Sequence, residues 1–152
     1  MKPLLFAALT TLGAMCAVPC QAQAQFSKME DAVKYRKGAL FVLGTHFSQI
    51  GAVVKGERPY DQAATEADAA IVDTLIRLPW HAFPDGSESS DSRARPEVWK
   101  QQAKFQERAK NAQAEVAKLK IAAQGGDLQA IRNAFGATGQ SCKACHDDFR
   151  RR

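Results

Sequence analysis

The chain has 152 residues, 45% hydrophobic and 24% charged, enough for one domain with a real core but not comfortably for two. Lysine and arginine number 21 against 16 acidic residues, a formal charge of +5. That mild basicity fits acidic partner surfaces or counter-ions, not nucleic acid. Beyond the N-terminal segment no stretch is apolar enough to span a bilayer, so no membrane anchor is expected.

The first residues read as an export signal. Lys2 gives a positive start, Leu4 to Val18 is a short apolar run, and Ala22-Gln23-Ala24 offers a small-x-small cleavage site. Residues 1–24 are therefore expected to be a cleaved signal peptide and residues 25–152 a single mature domain, located in the periplasm. Met15 and Pro19 precede Cys16 and Cys20 where a lipoprotein signal would have a small residue, so no lipid anchor is expected. Cleavage removes both of these cysteines and Lys2, which lowers the formal charge of +5 by one. Cys142 and Cys145 remain, and a mature chain with only those thiols has no disulfide framework.

Four helical segments follow. The first opens on Ser27-Lys28-Met29-Glu30, a capping-box pattern. Its apolar stripe runs through Met29, Val33, Leu40, Leu43, Phe47, Ile50 and Val54, with Arg36 filling one slot, and Gly56 and Pro59 end it. The second runs from an N-cap at Asp61 to Leu78, with Ala64, Ala67, Ile71, Leu75 and Leu78 as its inner face. A long connection from Pro79 to Arg95 holds Trp80 and Phe83 among Ser, Asp, Gly and Pro residues. The third starts with Pro96 in the favoured first-turn position. Its stripe is Trp99, Phe105, Ala109, Ala112, Val116, Leu119 and Ala123, and Gly125-Gly126 stops it. Asp127 caps the fourth, whose stripe is Leu128, Ile131, Phe135, Thr138, Cys142, Cys145 and Phe149. No strand pattern competes, so the expected fold is all-α: an antiparallel up-down-up-down four-helix bundle.

The fourth segment carries the strongest chemical signal. Cys142-Lys143-Ala144-Cys145-His146 is C-x-x-C-H, the pattern for covalent attachment of a c-type haem. Two thiols three residues apart share a helical face and can add to two vinyl groups, and the imidazole beside them can ligate iron. A redox dithiol would normally open a helix after a strand, and structural zinc would need a further ligand at fitting spacing. One covalently bound haem c per chain is the expected cofactor, buried in the bundle because both thiols lie on the inward stripe. Arg36 would place a guanidinium on the bundle face, costly without an anionic partner, and haem brings two propionates. Arg36, with Lys37 beside it, is the candidate propionate side. Phe83 is a candidate for the haem edge, and Trp80 a weaker one.

These residues resemble the cytochrome c′ family. The resemblance is carried by Gln25-Phe26, by Glu30-Asp31-Ala32-Val33-Lys34-Tyr35-Arg36, and by Leu78-Pro79-Trp80 with Phe83. It continues through Arg95-Pro96-Glu97-Val98-Trp99, Gly126-Asp127-Leu128, Ala134-Phe135-Gly136, and Ser141 to Asp147 with Arg150. It covers essentially the whole mature chain. It implies a five-coordinate, high-spin haem with His146 as sole protein ligand, Leu40 over the distal face and Arg150 against the proximal face. It also implies binding of NO and CO, electron transfer with a redox partner of unknown identity, and a homodimer through the first two helices. The connection from Pro84 to Arg95 is longer than the resemblance leads one to expect.

Two other readings compete. Met29 as a sixth ligand would make a low-spin electron carrier on the same bundle; a haem peroxidase or NO-consuming enzyme would need a distal acid–base group. Met29 lies 11 residues before Leu40, ~16 Å along a helix, so it does not reach an iron that Leu40 faces. His46 and His81 read as surface and loop residues, and no acid–base couple stands beside the motif. The reading is therefore of a non-enzymatic protein.

Overall fold

The structure is a computed structural model that describes residues 26–152; the expected signal peptide lies outside them. Five α-helices follow in order: α1 (Met29–Val54), α2 (Gln62–Leu75), α3 (Glu97–Lys100), α4 (Gln102–Gly125) and α5 (Leu128–Phe149). A 3-10 turn, Pro79–Ala82, follows α2. The four long helices form the all-α bundle, with α1 against α2, α2 against α4, α4 against α5, and α5 back against α1.

The helix ends show which sequence signals act. Asp61 caps α2 by accepting from the Ala64 N–H at 2.9 Å, and Asp127 caps α5 by accepting from Gln129 N–H at 2.9 Å. Gly126 takes φ 74, the left-handed turn that stops α4. Its carbonyl also accepts from the Tyr60 hydroxyl at 2.9 Å. The capping box expected at Ser27 does not form. Lys28 is the N-cap and makes no side-chain cap, while Glu30 and Asp31 place negative charge in the first turn, where the helix dipole favours it. The helix expected from Pro96 breaks at Gln101 (φ -125, ψ 48), which separates α3 from α4.

The main core gathers Ile50, Val72, Ile76, Val116, Leu119 and Ile131, with Ala69, Ala112 and Ala123 allowing close helix approach. The α4 stripe from Phe105 to Ala123 is buried as its periodicity implies. The inner face of α2 is not the expected one. Ala64, Ala67 and Ile71 are exposed, and Thr65, Ala69, Val72, Asp73 and Ile76 are buried instead. Two polar groups on that stripe are satisfied internally. The Thr65 hydroxyl donates to the Asp61 carbonyl at 2.7 Å. Asp73 accepts from Arg77 at 2.7 Å and from Lys120 of α4 at 3.1 Å.

Burial opposes ionisation of Asp73, but the hydrogen bonds from Arg77 and Lys120 outweigh it and hold its pKa below the usual carboxylate value. A carboxyl whose folded pKa is depressed contributes stability above its unfolded pKa of about 3.9, and loses it as pH falls through the folded value. Asp73→Asn is therefore expected to be less stable than the parent at pH 7, with the gap narrowing below about pH 4. Denaturant unfolding at pH 7 and pH 3 measures this; a gap that does not narrow would show that ionised Asp73 adds nothing to the α2–α4 contact.

Candidate functional site

The geometry of the site follows from how α1 and α5 meet. At one end they touch closely. Phe47 stacks on Phe135 with ring centroids 4.4 Å apart, and Arg132 Nε donates to the Val54 carbonyl at 3.2 Å. A Cβ added at Gly51 would lie 2.9 Å from the Phe135 ring, so a glycine is what permits this approach. The pairs run antiparallel: a step toward the C-terminus of α5 matches a step toward the N-terminus of α1. Two turns from Phe135 lies Cys142, and two turns from Phe47 in the opposite sense lies Leu40, ~10 Å from the stacked rings on both helices. Counted from Gly51–Phe135 or Val54–Arg132 instead, Leu40 falls level with His146, so the register sets Leu40 level with the turn from Cys142 to His146.

At that level the helices present partly exposed groups. Leu40 retains 36% exposure, and Cys142 and Cys145 are half-buried free thiols. Burial raises the Cys142 pKa. Burial, then the neighbouring Cys142, with Asp148 adding and Arg108 opposing, pushes Cys145 up to about 11. Both thiols are therefore held neutral. His146 is exposed, yet its pKa is lowered, first by desolvation and then by Arg150, against Asp147. A depressed imidazole pKa favours the neutral form, the one able to ligate a metal. It lines a cavity of about 510 Å³ together with Arg95, Lys143, Asp147 and Arg150–Arg152.

Cys145 also touches a second apolar cluster built on Val98, Phe105 and Phe149, which includes Phe83, Trp80 and Trp99. Phe83 and Phe105 meet edge to face at 5.0 Å. Phe83 is thus brought to the thiol end of the bundle. Trp80 is there too, with its indole N–H donated to the Ile76 carbonyl.

Arg36 is held by the connection after α2. It is 1% exposed, and its terminal nitrogens are committed to the connection after α2. Nη1 donates to the Ala82 carbonyl at 2.7 Å and to Ser87 Oγ at 2.8 Å, and Nη2 donates to the Ser87 carbonyl at 2.7 Å. Its guanidinium lies over the Phe83 ring, 4.5 Å from the centroid. Desolvation lowers its pKa, and Glu88 acts against that through space. Only Nε is left as a buried donor without a partner. Lys37 is exposed. Sequence reasoning missed Ser87, 1% exposed; the one signal for it was that a guanidinium on a core stripe must find acceptors somewhere.

The other candidate ligands are placed elsewhere. Met29 is 37% exposed at the start of α1. His46 Nδ1 lies 2.7 Å from Asp68 Oδ1 of α2. His81 stacks on Phe26, centroids 5.6 Å apart, with Tyr35 at 5.2 Å.

Known proteins match nearly the whole described chain. The family model described as Cytochrome C′ matches residues 31–150. The chain belongs to the cytochrome c′ family. Cytochrome c′ of Alcaligenes xylosoxydans xylosoxydans is 48% identical over 128 residues, 84% of this chain and 99% of that one. Cytochrome c′ of Rubrivivax gelatinosus is 38% identical over 127 residues, 83% of this chain and 98% of that protein. The Rubrivivax crystal structure superposes with a TM-score of 0.81, covering 84% of this chain and 100% of that one. A nitric oxide complex of a leucine-to-alanine variant of the Alcaligenes xylosoxidans protein superposes with a TM-score of 0.79 at 45% identity, covering 84% of this chain and 99% of that one. The family consists of haem proteins that carry electrons and bind gases, and its members carry covalently bound haem c. The residues here fit that group: two neutral thiols on one helical face, a neutral-leaning imidazole beside them, and a buried donor, Arg36 Nε, lacking an acceptor. Among the described residues no helix is long and apolar enough to cross a membrane.

The Gly51–Phe135 approach fixes how closely α1 and α5 pack two turns from Cys142. Gly51→Val would drive branched carbons into the Phe135 ring and is expected to cost about 1–3 kcal/mol. Denaturant unfolding measures the loss; an unchanged midpoint would mean that the helices already have slack at this contact.

Proposed function

We propose that this chain is a periplasmic c-type cytochrome whose haem is five-coordinate and high-spin, and that it binds NO and CO and transfers single electrons without being a turnover enzyme. The observation that carries the reading is the register that sets Leu40, an apolar and partly exposed side chain, level with Cys142 and His146. Cys142 and Cys145 would hold the haem through thioethers, and His146 would supply a nitrogen to its iron. Once bound, the haem supplies an iron that takes a diatomic ligand and cycles by one electron.

The chain's own residues decide what can happen opposite His146. Leu40 covers that side with hydrocarbon, which donates no proton and accepts none, so an incoming ligand has to be small and neutral and has to displace the side chain. The residues able to offer a sixth ligand are engaged or distant. His46 faces Asp68, His81 stacks on Phe26, and Met29 lies about three turns from Leu40 on α1, ~16 Å away. A peroxidase or NO-consuming activity needs an acid–base group on the distal side. Arg36, one turn before Leu40 on α1, has its terminal nitrogens bound to backbone and serine oxygens, and Lys37 is exposed. The Nε–H of Arg36 remains free to donate to a propionate oxygen, and Arg150 lies one turn after His146, on the proximal side. The NO complexes among the structural relatives, including one of an arginine-to-glutamine variant, support gas binding as the shared chemistry. Exposed Phe41 (76%) and Val42 on α1, with Ile71 on α2, support a homodimer through the first two helices.

Two measurements test this. Leu40→Ala is expected to speed CO binding to the ferrous protein by roughly tenfold, equivalent to lowering a steric barrier by about 1.4 kcal/mol; unchanged stopped-flow kinetics would mean Leu40 does not cover the iron. Replacing both Cys142 and Cys145 by alanine is expected to abolish haem staining on a denaturing gel. Staining that persists would place the covalent attachment elsewhere.

A further inference from the structure

The connection between the 3-10 turn and α3 is fastened at three places. From α1, Arg36 donates to the Ala82 carbonyl, to Ser87 Oγ and to the Ser87 carbonyl, at 2.7, 2.8 and 2.7 Å. The Ser87 hydroxyl in turn donates to the Pro84 carbonyl at 2.7 Å, and the Trp99 indole N–H donates to that same carbonyl at 3.0 Å. From the tail of α5, Arg95 N–H donates to the Phe149 carbonyl at 2.9 Å and Arg151 N–H to the Arg93 carbonyl at 2.7 Å, pairing Ala94 with Arg150 as an antiparallel bridge. The Arg151 guanidinium adds a hydrogen bond to the Ser92 carbonyl.

The bridge has a direct consequence for α5. Arg150 N–H still donates to the His146 carbonyl at 3.0 Å, but its backbone is extended (φ -120, ψ 133), so the helix ends at Phe149. Pairing with the connection thus fixes the backbone from which the Arg150 side chain departs. At its other end the same connection is pinned to α1 one turn before Leu40.

We propose that residues 82–95 form a strap that couples α1 to the proximal side of His146, with Arg36 and Ser87 acting as positioning residues for Arg150. The proposal rests on the reading of His146 as the axial ligand. Hydrogen bonds hold the strap at Ala82–Ser87 on the α1 side and at Ser92–Arg95 on the α5 side, with Ser87 and Ser92 buried, and the four residues between leave it little freedom to move at one end alone. A disturbance at either fastening is transmitted to the other, and equilibrium coupling of this kind is reciprocal.

The test uses the haem-loaded protein and two variants. Ser87→Ala removes the hydroxyl at the α1 end. Arg151→Pro removes the Arg151 N–H and its side-chain bond at the last residues of the chain, outside the bundle core. Amide hydrogen exchange and the ferrous Fe–His stretching frequency by resonance Raman are the readouts. Ser87→Ala is expected to speed exchange at Arg150 and Arg151 by tenfold or more, Arg151→Pro to do the same at Ser87, and both to shift the Fe–His frequency. Exchange that rises only at the mutated end, or an unshifted Fe–His frequency in either variant, overturns the proposal. Failure of the underlying reading would look different: the parent protein would show no Fe–His band at all, while the exchange data would still report on the strap.

Discussion

The guanidinium of Arg36 is the constraint on which the rest of the site depends. A permanently charged group, 1% exposed, has been carried into the bundle with no carboxylate hydrogen-bonded to it. Such a cation is stable only where the protein replaces its lost water with well-placed acceptors. The acceptors here are two backbone carbonyls and a hydroxyl from the connection after α2, assisted by the face of Phe83. That requirement gives a long and polar connection a fixed shape. It draws Phe83 into the aromatic cluster beside Cys145, and it occupies the terminal nitrogens of Arg36. One buried charge therefore shapes both the loop and the aromatic cluster beside the thiols.

The second determinant is the register of α1 against α5. Aromatic stacking of Phe47 on Phe135, with Gly51 permitting the approach, closes the bundle at one end. Two turns away the same helices present Leu40 on one side and Cys142 on the other. A five-coordinate haem needs an imidazole on one face and a yielding hydrocarbon on the other. On the proposed reading, an antiparallel helix pair with this register would supply both from residues of ordinary helical geometry. The same distances argue against Met29 as a ligand, because a straight helix cannot bring a residue three turns away onto the same iron.

Much of this was legible in the sequence, for reasons that can be stated. The C-x-x-C-H pattern constrains chemistry through spacing alone. Asp61 and Asp127 announce helix starts through local hydrogen bonds, and the α4 stripe is read correctly because its buried positions are apolar throughout. The face of α2 was misread because alanine-rich helices offer more than one apolar stripe, and the true one carries Thr65 and Asp73. Their burial becomes affordable only through partners such as Lys120, 47 residues away. The capping box at Ser27 failed because a local pattern does not fix the backbone that a cap requires. Arg36 was rightly seen as a buried charge in need of partners, but the partners are mostly main-chain atoms of a connection with no periodicity. Ser87 lay in a stretch whose composition reads only as loop. Contacts made by backbone carbonyls across 46 or 51 residues leave no mark in composition or period.

The central claim is that His146 holds the iron alone, with Leu40 as the only cover opposite it. The most direct test is the visible absorption spectrum of the exported protein, oxidised and reduced, before and after addition of CO. The account predicts a high-spin ferrous spectrum with broad, unsplit bands, converted by CO to a low-spin complex. Sharp, split ferrous bands that CO leaves unchanged would contradict it, showing that a second side chain already occupies the sixth position.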